Sequence, residues 1–344
     1  MPKFVRIQPK NPADVAGQVA DALGSGVAVV PMLGGYCVLA RDREALAGFG
    51  GPFRLVTEET LVAAIADMEP SYRERVLQVM AGSMVGRFAS GQPGLAMASE
   101  PIASEIVRRV AGHVWFGVPV ESAEPGELAD ELGNRASVVV TGDAAGPGPT
   151  SLDFSSRPAV IDRRGKLGIL DVEQQLGELV RMGPGLFFSV LVVCTGNSCR
   201  SPMGQYMLAD MLKGTPASVG SAGTDAPVGS PPAPNAVEVM RVAGIDLTRH
   251  RAQQLSSELV EAADLVLVMD EYHRQRVVEL VPDAAGRTRL LLSFVGRDEK
   301  VEDPIGFSVE CYRLTRDAMK PALEQVAAQV RQRSGRRELP GSTT

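Results

Sequence analysis

The sequence predicts two α/β domains, and three observations support this fold class. The chain has 344 residues, more than one hydrophobic core usually organises. Short β-branched runs alternate with segments of helical period, as in sheets covered by helices. A Met-Gly-Pro-Gly turn at 182–185 interrupts this alternation. We therefore place a first domain at 1–182, a linker at 183–188, a second domain at 189–335 and a flexible tail at 336–344.

The first half predicts a mixed α/β domain. Asn11 precedes apolar positions of helical spacing, so we expect a capped helix over 11–24. The other predicted elements are strands at 26–31, 36–40, 84–88, 114–120 and 136–141, and helices at 58–68, 69–81, 101–112 and 125–133. The glycine- and proline-rich stretch 142–151 predicts a surface loop, and 174–185 predicts a helical stretch running into the linker.

The second half predicts a doubly wound parallel sheet of four strands. Its first strand is the apolar run that ends at Cys194, and a helix is expected from Ser201. The remaining predicted elements are strands at 217–220, 264–269 and 289–294, and helices at 234–243, 255–263, 271–281 and 308–332. In such a fold, ligands bind beyond the carboxyl ends of the strands.

The segment Cys-Thr-Gly-Asn-Ser-Cys-Arg-Ser-Pro at 194–202 carries the main functional signal. A loop between a strand and a helix start directs backbone N–H groups at one point, where the helix dipole favours an anion. This positive potential favours the thiolate of Cys194, and Arg200 offers a planar fork for two phosphoryl oxygens. The pattern predicts a phosphate-binding loop that holds a cysteine nucleophile. The loop residues between these two are Thr195, Gly196, Asn197, Ser198 and Cys199.

Cys194 also has a purely structural interpretation, because a cysteine at a strand end is most often a small buried apolar residue. The Gly196, Asn197 and Ser201-Pro202 context favours the functional interpretation.

This segment resembles the signature of the low-molecular-weight protein-tyrosine-phosphatase family, and the resemblance covers about 189–332. The family's Asp-Pro element matches at Asp303, which the resemblance implies as general acid in preference to its neighbour Glu302. The resemblance also implies residues that support the loop: Asn197, Ser201, Ser221 and His250. For His250, an exposed surface histidine is an equally open interpretation.

The resemblance implies hydrolysis of a phosphorylated protein residue through a cysteinyl-phosphate, without a metal or cofactor. Tyrosine phosphatases of the family flank the pocket with aromatic residues, but those places hold Asp225-Ala-Pro227 and Ile305 here. The arginine-phosphatase branch carries a polar residue at the position of Ser198, and Asp225 adds a carboxylate suited to a cationic substrate. That branch has Phe directly after Asp-Pro, whereas the nearest one here is Phe307. Phosphotyrosine and phosphoarginine both stay open.

Two other functions are compatible with parts of this pattern. Thioredoxin-coupled arsenate reductases share most of the loop, but they carry Gln at the position of Pro202 and need downstream cysteines, which 269–282 lacks. A phospho-ligand binding module is the alternative to an enzyme. It is disfavoured because a binder has no need of both Cys194 and Asp303.

The first half resembles the threonylcarbamoyl-adenylate synthase (YrdC-like) family. The matching stretches are Pro31–Val38, Ser122-Ala-Glu124 and Thr150–Asp153. Glu124 replaces an amide of the family, and the basic residues that would face ATP phosphates have no counterpart. The resemblance therefore implies a degenerate domain with a regulatory or ligand-sensing role, in which a nucleotide- or RNA-related ligand is the open alternative.

Composition limits the compartment and the partners. No apolar run reaches the length of a membrane span, and the N-terminus lacks a signal-peptide core. The four cysteines are too few for a disulfide framework, so we expect a reducing cytoplasm. Neither half has an excess of Lys and Arg over Asp and Glu, which disfavours nucleic acid as a partner.

Overall fold

The computed structural model describes residues 3–6, 11–119, 124–142, 146 and 148–335. The chain divides into two compact units, Met1–Gly183 and Pro184–Thr344. Within the described ranges, no helix combines the length and the apolar character that crossing a membrane requires.

The first unit contains one mixed sheet and six α-helices among its described residues. The strands are β1 (Lys3–Arg6), β2 (Val27–Met32), β3 (Gly35–Ala40), β4 (Gly50–Val56), β5 (Met84–Arg87), β6 (Leu95–Met97), β7 (Val114–Val118), β8 (Ala136–Thr141), β9 (Thr150–Asp153), β10 (Val160–Arg163) and β11 (Arg181–Met182). The helices are α1 (Pro12–Ala22), α2 (Glu58–Ala64), α3 (Pro70–Met80), α4 (Pro101–Arg109), α5 (Pro125–Leu132) and α6 (Ile169–Leu176). The strand order is β1-β8-β2-β3-β7-β4-β6-β5-β9-β10-β11, with parallel and antiparallel pairs.

Strand β2 explains why this sheet is covered on both faces. Successive side chains of a strand point to opposite faces. Ala28 and Val30 belong to one buried apolar cluster, whereas Val27 and Val29 belong to another. All six residues of β2 are buried, as expected of a strand between two layers.

The sequence missed or displaced several elements of the first unit. Strand β4 begins with Gly-Gly-Pro, which is a turn signal, yet it pairs with β6 and β7 in the middle of the sheet. The predicted loop 142–151 ends in β9, where Thr150 and Ser151 are buried. The helix expected within 174–185 lies earlier, as α6, and ends where Gly177 adopts a left-handed conformation. Ser122 and Ala123 lie outside the described residues.

The second unit is the predicted parallel sheet of four strands with helices. Its strands are β12 (Phe188–Cys194), β13 (Ala217–Gly223), β14 (Leu265–Val268) and β15 (Thr288–Leu290). Its α-helices are α7 (Arg200–Met211), α8 (Pro234–Val242), α9 (Ser257–Glu261), α10 (Glu271–Leu280) and α11 (Val309–Arg333). The order is β13-β12-β14-β15, and every pair is parallel. All four strands therefore end at the same edge, where Cys194 lies.

Most helices of the second unit and β14 differ from expectation by one or two residues at an end, and the other three strands differ as follows. Strand β12 begins at the buried Phe188, one residue inside the expected linker. Strand β13 runs three residues further than predicted, because it pairs with β12 along its whole length. The strand expected at 289–294 ends at Leu290, and Leu291–Val295 forms a 3₁₀ turn closed by Gly296. An apolar run alone does not separate a strand from a short buried helix. The expected tail 336–344 lies outside the described residues.

Candidate active site

Cys194 is the last residue of the inner strand β12, and the chain then forms the thiol loop, residues 194–200, before α7 begins. Two backbone hydrogen bonds join this loop to the segment after β13. Thr224 N donates to Cys194 O at 3.0 Å, and Asp225 N donates to Thr195 O at 3.0 Å. The loop is therefore fixed on one side by the neighbouring strand as well as by its own helix.

Gly223 is required at this contact. A Cβ atom on Gly223 would lie 2.3 Å from Thr195 O and 2.9 Å from Asn197 N, too close for any other residue. Gly223 thus allows the backbone of the thiol loop to pass directly against β13.

Asn197 holds the shape of the loop. Its φ of 48° lies in the left-handed region, which costs energy for a residue with a side chain. The buried side chain compensates with three hydrogen bonds. Nδ2 donates to Ser201 Oγ at 2.9 Å and to Ser221 Oγ at 2.8 Å, and Oδ1 accepts from Gln253 N at 2.9 Å.

His250 supports the same residue from the other side. Its Nε2 lies 2.7 Å from Asn197 O, so Nε2 carries a proton and donates to this carbonyl. The side chain is 6% exposed, which excludes the interpretation as a surface histidine. Burial lowers the pKa of His250, and the ring is therefore neutral near pH 7.

Ser201 contacts the thiol directly. Cys194 Sγ and Ser201 Oγ are 2.9 Å apart, and both side chains are buried. Because Ser201 Oγ accepts from Asn197 Nδ2, its own hydrogen is left to donate, either to the sulfur at 2.9 Å or to Ala222 O at 3.4 Å. Ser221 in turn donates to Gln205 Oε1 at 2.6 Å, so the polar atoms under the loop form a connected network.

Arg200 lies under the loop and is 4% exposed. Nη1 donates to Val301 O at 3.1 Å, and Nη2 donates to Asp303 Oδ2. Nε is buried and has no hydrogen-bond partner among the described residues. An unpaired buried N–H group is costly, so this atom is suited to a ligand oxygen.

Asp303 and Glu302 are separated clearly by their surroundings. The side chain of Asp303 is 39% exposed and contacts Arg200, and its Oδ1 accepts from Ile305 N at 3.2 Å. The side chain of Glu302 is 76% exposed and pairs with Lys300 at 3.2 Å. Of these two carboxylates, it is Asp303 that reaches the thiol loop, through the guanidinium of Arg200.

Asp270 and His273, which follow β14, also lie at the site, although no motif in the sequence predicts them. Asp270 Oδ2 lies 3.9 Å from Arg200 Nη1, and His273 Nε2 lies 2.9 Å from Thr195 Oγ1. A signal was present, because Asp270 follows the end of a parallel strand, where the sites of such sheets lie. Its neighbour Tyr272 is half exposed, and its OH lies 3.5 Å from Asp225 Oδ2.

Cys199 faces away from solvent beside α11. Its Sγ lies 3.3 Å from the OH of Tyr312, and burial raises the pKa of the Cys199 thiol. The preceding residue, Ser198, is only partly buried, and its carbonyl accepts from Ala233 N at 2.9 Å. Asn235 Nδ2 then donates to Phe307 O at 3.1 Å, which places the exposed Phe307 on the Ser198 side of the site.

All the predicted site residues thus lie at one edge of the sheet, either in the thiol loop, in contact with it or, for Asp303, joined to it through Arg200. Gly196 makes no close contact that would require glycine. In the described part of the chain, no three His, Cys, Asp or Glu side chains are grouped as ligands of a metal ion. A cysteine-bearing loop of this kind, at the carboxyl edge of a parallel sheet, defines a class of thiol-dependent phosphatases.

Comparison with known proteins gives the particular family. Residues 189–336 match the family of low molecular weight phosphotyrosine protein phosphatases. A probable low molecular weight protein-tyrosine-phosphatase from Ralstonia nicotianae, EpsP, is 44% identical over 138 residues, 40% of this chain and 88% of that protein. A protein-arginine-phosphatase from Geobacillus stearothermophilus is 37% identical over 145 residues, 42% of this chain and 96% of that protein. Through its second unit, the chain belongs to the low molecular weight phosphotyrosine protein phosphatase family.

Proposed function

We propose that this protein is a phosphatase that hydrolyses phosphorylated protein residues, with Cys194 as nucleophile, Arg200 as anion ligand and Asp303 as general acid. The observation that carries the proposal is the buried Arg200. Its Nε has no partner among the described residues, while its Nη2 holds Asp303 at the thiol loop. A phosphoryl group bound in the loop would satisfy Nε and bring the leaving group near Asp303.

In the first step, the Cys194 thiolate attacks phosphorus and a sulfur–phosphorus bond forms. Ser201, 2.9 Å from the sulfur, stabilises the thiolate by a hydrogen bond. Loop N–H groups and Arg200 hold the three equatorial oxygens. The bond from phosphorus to the leaving oxygen or nitrogen breaks, and Asp303 transfers its proton to that atom.

In the second step, Asp303 acts as a carboxylate and removes a proton from water. The water oxygen bonds to phosphorus, the sulfur–phosphorus bond breaks, and the Cys194 thiolate is regenerated together with inorganic phosphate. No proton remains unaccounted for, because the proton that Asp303 gave to the leaving group returns from the water.

The substrate class is phosphotyrosine or phosphoarginine, and the relatives' names include both. Tyr272 and Phe307 are exposed aromatic residues beside the site, although the usual aromatic positions hold Asp225 and Ile305. Asp225 lies against the thiol loop, because its backbone N donates to Thr195 O, and it carries a carboxylate there. It favours a cationic guanidinium over a neutral ring, so phosphoarginine is the better fit.

For the first unit, we propose a degenerate YrdC-like domain with a regulatory or ligand-sensing role. Its mixed sheet supports an α/β class, and the motif differences at Glu124 argue against synthase chemistry. A cytoplasmic location belongs to the same proposal, because a thiolate nucleophile must stay reduced. All four cysteines are free.

The test is hydrolysis of matched phosphotyrosine and phosphoarginine peptides by wild type and Cys194→Ser. Faster release of phosphate from the phosphoarginine peptide, abolished by the substitution, is the expected result. Faster phosphotyrosine hydrolysis would assign the other substrate and leave the phosphatase proposal intact. Equal turnover by wild type and Cys194→Ser would refute the enzyme and favour a phospho-ligand binding module.

A further inference from the structure

The segment after β14 carries two side chains, Asp270 and His273, that contact each other and the thiol loop and have no role in the proposed reaction. His273 is fully buried at the start of α10. Its Nε2 lies 2.9 Å from Thr195 Oγ1, next to the nucleophile. Its Nδ1 lies 2.7 Å from Asp270 Oδ1, and Asp270 Oδ2 faces Arg200 Nη1 at 3.9 Å. The imidazole therefore links the two ends of the thiol loop: it contacts Thr195 directly, and it reaches Arg200 through Asp270.

The position of the ring proton follows from these contacts. A lone pair on Nδ1 at 2.7 Å from a carboxylate oxygen would be repelled, so Nδ1 carries the proton even though this contact is not well aligned for a hydrogen bond. Burial lowers the pKa of His273, which keeps the ring neutral. Nε2 is then an acceptor, and the Thr195 hydroxyl donates to it.

Asp270 is fixed at the same time. Its Oδ1 also accepts from the backbone N of His273 at 2.9 Å, as the cap of α10. With Oδ1 engaged in this way, Oδ2 is directed at Arg200. Rotation of the imidazole would release the Thr195 hydroxyl and would remove one of the two contacts of Asp270 Oδ1, leaving the carboxylate held by the backbone N of His273 alone.

We propose that His273 is a positioning residue of the phosphatase, whose imidazole holds the Thr195 hydroxyl at one end of the thiol loop and supports Asp270, which faces Arg200 at the other end. This inference rests on the proposed function. It predicts an effect on the rate of the chemical step, because the loop N–H groups and Arg200 act most strongly on the transition state.

The first arm of the test is a double-mutant cycle between Thr195→Val and His273→Leu. Each new side chain is close in size to the one it replaces and removes the hydrogen bond between Thr195 Oγ1 and His273 Nε2. We expect each to lower kcat about fivefold to tenfold, the range of one hydrogen bond, with KM changed less than about twofold. The double variant should be no slower than the slower single variant. His273→Gln, whose side-chain oxygen can replace Nε2 as acceptor, should recover most of the loss only when Thr195 is present.

The second arm does not depend on turnover. Nitrogen-15 NMR of the histidine rings in the whole chain should show His273 protonated on Nδ1 and unprotonated on Nε2, and Thr195→Val should shift the Nε2 resonance. The chain has three histidines, so His273→Gln assigns the signal. If the wild type lacked Cys194-dependent turnover, the proposed function would fail and the NMR result alone would decide the contact.

Three results would overturn the proposal. The first is that the kcat losses of Thr195→Val and His273→Leu add independently in the double variant. The second is a proton on Nε2 of His273, and the third is an Nε2 resonance that Thr195→Val leaves unchanged. Should His273→Leu fail to fold, the cycle is completed with His273→Met, which also removes the ring acceptor and for which additive losses carry the same meaning. The NMR arm needs neither of these two variants and decides the contact if both fail to fold.

Discussion

Arg200 donates through Nη2 to Asp303 Oδ2, so the proposed anion ligand and the proposed general acid are partners of each other. A phosphoryl group and the Asp303 carboxylate carry like charges and compete for the same guanidinium. Under the proposed function, substrate binding would therefore weaken the hold of Arg200 on Asp303 and would leave the carboxyl group available to the leaving atom.

This competition gives the first prediction. Asp303→Asn should strengthen inhibition by inorganic phosphate about threefold to tenfold, because one competing negative charge is removed. The same substitution should lower kcat about 100-fold or more for a poor leaving group, as expected for loss of a general acid. Steady-state kinetics with phenyl phosphate and p-nitrophenyl phosphate measure both effects, and the loss should be smaller for the nitrophenyl ester.

Glu302→Gln is the matched control, because Glu302 is the adjacent carboxylate and pairs with Lys300 instead. It should leave both phosphate inhibition and kcat within about twofold of wild type. An Asp303→Asn enzyme with unchanged phosphate inhibition would contradict the competition between the two anions.

The second prediction separates the two roles of Asn197. Asn197→Ala should lower the free energy of unfolding by about 2–4 kcal/mol, because the buried partners of its side chain lose their hydrogen bonds. Asn197→Gly loses the same bonds but tolerates the left-handed backbone, so it should be more stable than the Ala variant by about 1 kcal/mol. Hydrogen exchange of β13 amides measures the difference. Equal stabilities would show that the backbone conformation at 48° stores no strain.

The third prediction concerns pH. Burial lowers the pKa of His250 in the folded state, so the unfolded chain binds more protons as the pH falls below about 6.5. The contribution of this residue to stability is present above that value and is lost on acidification, by at most about 1.4 kcal/mol per pH unit. His250→Gln keeps an N–H donor for Asn197 O but cannot titrate.

Relative to His250→Gln, wild type should therefore lose stability between pH 7 and pH 5. Hydrogen exchange of β12 amides at several pH values, corrected for intrinsic rates, follows this difference. If the difference in free energy of unfolding between the two proteins stayed constant across this pH range, protonation of His250 would be ruled out as a cause of acid destabilisation.

The fourth prediction tests the exposed aromatic residues beside the site. Tyr272→Ala and Phe307→Ala should each raise KM for the preferred phosphopeptide about twofold to tenfold, with little change in kcat, because contacts of aromatic rings contribute about 0.5–1.5 kcal/mol. Val242→Ala is the control, since Val242 is an exposed apolar residue at the far end of α8. An equal rise of KM in the control would show that the effect is not specific to the site.

The sequence allowed the second unit to be predicted in its class, strand number and parallel arrangement. The reason is that the two inner strands, β12 and β14, are short and mostly buried apolar runs, and each is followed by a helix. The strand Gly50–Val56 of the first unit was missed for the opposite reason. Its turn-forming first residues outweigh a pairing that only the assembled sheet provides.

For the site, a local motif was enough to group Cys194, Asn197 and Arg200, because they lie on one loop. Asp270 and His273 are some 70 residues further along the chain and reach that loop only because β14 lies next to β12. Spacing along the chain does not encode such a contact. Knowledge of the strand order would have revealed it.

The pairing of β12 on both of its sides has a consequence for thermal inactivation. The strand that ends in Cys194 is bonded to β13 along its full length and to β14 over Val190–Val193. Cys194, the proposed nucleophile, therefore has no route to a displaced position that leaves the sheet intact. We expect heating to abolish activity only as the second unit melts, so that inactivation and unfolding follow a single curve.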